Sequence, residues 1–100
     1  MIFEVQGRGI NVNEAPWDQV IHSAFQPVGD RYFDGIRSIH LWVECDSMAD
    51  ERTGCRCHAK LALKNWPAFE IVEHGTDASQ TIERTAESVL RALAVVLRSH

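Results

Sequence analysis

The sequence predicts an α+β fold in the order β-α-β-β-β-α: an antiparallel-rich, four-stranded sheet with two helices packed on one face. Three observations carry this expectation. Three segments alternate apolar and polar residues at a period of two, as strands with one buried face do, and a short fourth segment after a turn reads as a strand. Two segments repeat apolar residues at helical spacing. One hundred residues, 45% hydrophobic and 24% charged, suffice for one core, with no repeat or low-complexity tract. Residues 1–100 are therefore expected to form a single domain.

In residues 2–6, Phe3 and Val5 oppose Ile2, Glu4 and Gln6, which reads as a first strand. Gly7-Arg8-Gly9 reads as a turn, and Ile10-Asn11-Val12 as a brief extended piece. Asn13 is a good helix N-cap, with Glu14 in the favourable first turn. Trp17, Val20, Ile21, Ala24 and Phe25 then recur at core-facing spacing. Pro27 and Gly29 should stop or kink this helix, because Pro27 cannot donate back to residue 23.

From Ile36 the period switches to two. Ile39, Leu41, Val43 and Cys45 face one way; Ser38, His40, Trp42 and Glu44 face the other. Residues 46–54 form a polar loop. Cys55, Cys57, Ala59, Leu61 and Leu63 then share one face, with Arg56, His58, Lys60 and Lys64 on the other, so these two runs should pair as a hairpin. Asn65-Trp66-Pro67 reads as a turn and Phe69 to Val72 as the fourth strand. Asp77 caps the last helix, with Gln80 completing a capping-box pattern. Its apolar stripe is Ile82, Ala86, Val89, Leu93, Val96 and Leu97.

Composition excludes several functions. The longest apolar run, Ala92 to Leu97, is six residues, so no membrane span is expected. Met1-Ile2-Phe3-Glu4 lacks the basic-then-apolar order of an export signal, and a cytoplasmic protein with three reduced thiols is expected. Cys57 and His58 point to opposite faces of a strand and cannot easily share an ion, so no metal or other cofactor is expected. A Cys55–Cys57 disulfide is equally poor, because its side chains run parallel. No histidine sits beside a nucleophile in a recognisable frame, so no catalytic residue, enzymatic activity or small-molecule substrate is expected. A net charge of −4 argues against coating nucleic acid by bulk positive charge.

Two local basic features survive. Arg84, Arg91 and Arg98 lie seven apart on the last helix and form one stripe away from its apolar face. Their forked guanidinium groups suit phosphate oxygens, although a solvated helix face has the same spacing. The second feature is the outer sheet face, where Arg56, His58, Lys60 and Lys64 accompany Trp42 and His40. It reads as a surface for single-stranded RNA, a solvated face or a dimer contact.

Three pieces in order resemble a known family: Gly7-Arg8-x-Ile10-x-Val12-x-Glu14-Ala15, Arg31-Tyr32-Phe33-Asp34-x-Ile36, and Asp77 opening a helix that holds Ile82 and Arg91. They resemble the bacterial ribosome hibernation-promoting factors, which include the ribosome-associated inhibitor and the sigma-54 modulation proteins, in the short form. The resemblance implies a fold like that of double-stranded-RNA-binding domains and a non-catalytic role. Such a protein docks on rRNA of the small ribosomal subunit, in the mRNA and tRNA channel, and blocks translation when growth stops. Arg8, Arg31 and Arg91 match basic positions of the family. Arg84 and Arg98 extend the helix stripe, while Lys60 and Lys64 come from the sheet face. One departure is plain: residues 13–34 hold Glu14, Asp18, Asp30 and Asp34 against Arg31 alone. That motivates an alternative, an interaction module of the same fold that forms a homodimer through Trp42, His40 and His58 and no longer binds the ribosome.

Overall fold

Alternation buries Phe3 and Val5 against the core along β1 (Ile2–Arg8). The structure, a computed structural model, describes residues 1–46 and 54–98. After β1 come helix α1 (Trp17–Tyr32), a 3-10 turn (Phe33–Gly35), β2 (Ile36–Cys45), β3 (Cys55–Leu63), β4 (Phe69–Gly75) and helix α2 (Ala78–Arg98). The sheet order is β1-β2-β3-β4. β1 runs parallel to β2, and the other two pairs are antiparallel, so the sheet is mixed. Helix α1 supplies the crossover that a parallel pair requires. Both helices cover one face, where Ile21, Phe25 and Val28 of α1 and Ile82, Val89 and Leu93 of α2 share a core cluster with Ile39, Leu41 and Leu61.

The element order matches the expectation, and several boundaries move. β1 continues through Gly7 and Arg8, because both pair with β2 opposite Val43 and Glu44. The turn comes at Gly9, whose φ of +74° suits glycine. Residues 10–12 form no strand, although Val12 is buried. Asn13 is not the cap: its N–H donates to Asn11 Oδ1 at 3.2 Å, and α1 starts at Trp17 behind Pro16. A local Asx turn has outcompeted the cap.

Pro27 neither ends nor divides α1, which runs on to Tyr32. A helix-interior proline costs about 3 kcal/mol. Val28 is fully buried and Tyr32 packs against the core. Burying two such side chains is worth a comparable amount, about 1.5–3 kcal/mol each when complete.

Ile36 and Ile39 are both buried despite lying three apart in one strand. The register explains it: Ile36 pairs with Leu63 and Ser38 with Ala62, leaving Arg37 as an extra residue. This bulge flips the alternation between them. β4 extends past Val72 to Gly75, because His74 and Gly75 pair with Arg56 and Cys55. Asp77 caps α2 as expected, its Oδ1 accepting from the Gln80 N–H at 3.2 Å. Thr81 and Thr85 are buried polar residues whose hydroxyls donate to the carbonyls of Asp77 (2.7 Å) and Thr81 (2.8 Å).

The expectation of three reduced thiols is corrected. Cys45 and Cys55 stand directly opposite each other at the mouth of the β2–β3 hairpin, with Cα atoms 4.2 Å apart, and form a disulfide. Facing positions in an antiparallel ladder approach as a bridge requires. Cys57 remains a free, fully buried thiol. Desolvation pushes its pKa up from 9.0 to about 11; the Thr85 hydrogen bond opposes this and Glu73 adds to it.

A neutral buried thiol has two measurable consequences. Iodoacetamide at pH 8 should leave native Cys57 unmodified and label it once the protein is unfolded without reductant. The raised pKa also makes stability pH-dependent. The Cys57 contribution, about 2–3 kcal/mol, is intact below pH 9 and lost as pH rises toward 11. Labelling of Cys57 in the folded protein would contradict this account.

Candidate nucleic-acid interface

The pleat sends two sets of candidate residues to opposite sides of the sheet. On the outer face the register sets side chains in rows across the strands: Gln6, Trp42, His58, Val72, and beside them Arg8, Glu44, Arg56, His74. His40 stacks on Trp42 with ring centroids 3.9 Å apart and planes 10° apart. His58 approaches the indole at 4.9 Å and 31°. Each histidine has a carboxylate nearby: His40 Nδ1 lies 3.8 Å from Glu4 Oε2, and His58 Nε2 lies 3.5 Å from Glu70 Oε1. The Nε2 atoms of both rings are buried and make no hydrogen bond among the described residues. Arg8 reaches Glu44 at 3.6 Å.

The helix layer holds the other set. Arg84 Nη2 meets Glu73 Oε1 at 3.1 Å, and Ser88 Oγ donates to Glu73 Oε2 at 2.9 Å. Arg91 Nη2 donates to Ser88 Oγ at 3.0 Å. One strand carboxylate therefore anchors two members of the arginine stripe. A third basic group gathers at the opposite end of the molecule. There Arg31 lies in the last turn of α1, Arg37 sits in the β2 bulge and Lys64 follows β3, its N–H donating to the Gly35 carbonyl at 3.1 Å.

The sequence candidates thus divide. Arg8 and Lys60 lie on the outer face, Arg31, Arg84 and Arg91 in the helix layer, and Lys64 at the end of the sheet. The structure does not bring them into one patch. The side chain of Arg98 and loop residues 47–53 lie outside the described residues. Sequence reasoning missed Glu73, although a signal existed: it shares the parity of Phe69 and Ile71, which face the core. An acid at such a position needs a partner. It also missed Arg37, for which alternation gives no signal. Among the described residues no group of three or more His, Cys, Asp or Glu is placed to hold a metal ion. No helix among them is long and apolar enough to cross a membrane.

No protein-family model matches the chain, and no curated protein matches it by sequence. Solved structures do match its fold. A ribosomal subunit interface protein from Coxiella burnetii superposes with a TM-score of 0.78 at 11% identity, over 98% of this chain and 99% of that one. The N-terminal domain of Protein Y from Thermus thermophilus gives a TM-score of 0.64 at 17% identity, over 88% of this chain and 89% of that one. At such identities the likeness is one of fold. The resemblance read from the motifs therefore holds at the level of architecture: this β-α-β-β-β-α chain has the fold of the ribosome hibernation-promoting factors.

Proposed function

We propose that this chain is a ribosome-associated hibernation factor of the short class, a single domain over residues 1–100. It binds the small ribosomal subunit through arginine–phosphate contacts and performs no catalysis. The observation that carries the reading is the end-to-end match to a ribosomal subunit interface protein, 98% of one chain on 99% of the other. The exposed guanidinium groups of Arg31, Arg84 and Arg91 on one layer support it. The Arg84–Glu73 pair does not remove Arg84 from use. Arg84 is the more exposed partner, and Glu73 keeps its Ser88 hydrogen bond if Arg84 turns to a phosphate. Arg98, Arg8, Lys60 and Lys64 are further candidate contacts. The protein would act in the cytoplasm.

Sedimentation tests the proposal. The protein should travel with purified small subunits at low salt and be released as salt rises, with a log–log slope of roughly −2 to −3 for three to four phosphate contacts. The double variant Arg84→Glu, Arg91→Glu should stay at the top of the gradient. A second reading rests on a specific observation: Arg8 and Arg84 both have carboxylate partners within the chain. In that reading the fold is kept as a protein-interaction module, with a homodimer as one form. Unaltered protein that fails to sediment with excess subunits at low salt would select it.

A further inference from the structure

We propose that the outer sheet face carries a slot for one nucleobase of single-stranded RNA, preferring bases that bear an amino group. The proposal rests on the ribosome-associated reading for the source of that RNA, and the slot itself stands on geometry.

One face of the Trp42 indole is covered by His40. A slot of about 290 Å³ is lined by Trp42, Glu44, Arg56 and His58. The register makes it a gap between two rows: Trp42 stands opposite His58, and Glu44 stands opposite Arg56. At the backbone, rows two residues apart along a strand are about 6.8 Å apart. His40 leans onto Trp42 and closes its gap to 3.9 Å, whereas the space lined by Trp42, Glu44, Arg56 and His58 stays open. A planar ring with about 3.5 Å to each neighbour fits an open gap between such rows. Trp42 and His58 offer π surface on one wall. The planar guanidinium of Arg56 suits the other, because it stacks on aromatic faces.

The Glu44 carboxylate sets the preference. It only accepts hydrogen bonds, so it favours a base edge rich in N–H donors. Guanine offers two adjacent donors, whereas uracil offers one. Arg8, 81% exposed and 3.6 Å from Glu44, stands at the rim where a backbone phosphate would pass. A second copy of the chain suits the face less well. Glu4, Glu44, Glu70, Arg8, Arg56 and Lys60 all project there, and a dimer would have to desolvate them. A strand of RNA occupying one slot leaves most of them in water.

The test uses labelled pentanucleotides and fluorescence anisotropy, without ribosomes. A uridine pentamer with a central guanosine should bind roughly tenfold more tightly than pentauridylate. Trp42→Leu should weaken binding roughly tenfold or more, while Trp42→Phe, which keeps a ring, should change it by less than about threefold. Glu44→Gln should keep binding and lose most of the preference for guanosine. Equal affinity for the two pentamers, or unchanged binding by Trp42→Leu, overturns the slot. So does guanosine monophosphate competing as well as the pentamer, which would make the ligand a free nucleotide. A dimer abolished by Trp42→Leu, with no RNA binding, assigns the face to a second copy and also overturns it. Arg84→Glu, Arg91→Glu should leave pentamer binding unchanged, so failure of the slot and failure of ribosome docking are read separately.

Discussion

Leu93→Ala should unfold at least roughly 10 °C below the unaltered protein, a loss of about 2–5 kcal/mol. Leu93 is fully buried and belongs to the cluster that joins α1, α2 and the sheet. Truncation removes its transfer energy and leaves a cavity that surrounding strands and helices cannot close. Both terms are large here because the neighbouring core residues Ile21, Leu61 and Val89 are themselves 1% exposed or less. Leu93→Met keeps the volume and should cost under about 1.5 kcal/mol. Denaturant midpoints decide. An alanine variant as stable as the methionine variant would mean that this side chain is not sealed in the core.

Gly9→Ala should cost about 3 kcal/mol, more than a surface substitution normally does. Two effects add. The φ of +74° disfavours any L side chain, and a Cβ at this position would run into the Cys45 carbonyl. The obstacle is backbone at the end of a central strand, so it cannot swing away as a flexible side chain would. Gly54, across the same hairpin mouth, is the contrast. A Cβ there meets only Asp46 Oδ2, at 3.9 Å. Gly54→Ala should therefore stay within about 0.5 kcal/mol of the unaltered protein. Equal urea midpoints for the two variants would sink the steric account.

The strands were legible because one buried face imposes a period of two, and that period assigned Ile39, Leu41 and Val43 inward and His40 and Trp42 outward. The start of α2 at Asp77 was legible, and the ends of α1 were not. At Asn13 a two-residue turn competes with the cap, and at Pro27 the outcome depends on what Val28 buries, which is tertiary information. The bridge between Cys45 and Cys55 was missed for a related reason. Alternation fixes which way each cysteine points, whereas only the register makes them opposite. The candidate arginines show the same boundary. The exposure of Arg84 and Arg91 was readable from helical spacing, but Glu73 became the partner of Arg84 through the packing of α2, and Glu44 that of Arg8 through the pairing of β1 with β2. A sheet that sends Arg8 outward and leaves Arg84 in the helix layer cannot present them together, and no spacing rule reveals that.

The Cys45–Cys55 bridge also alters what proteolysis can accomplish. It closes residues 45–55 into one covalent ring made of backbone and a single sulfur–sulfur link. A single cut anywhere inside that ring opens the ring and releases nothing. The product is a two-chain molecule of unchanged composition apart from one added water. β1, α1 and β2 stay tethered to β3, β4 and α2 by sulfur instead of peptide, until a reductant separates them.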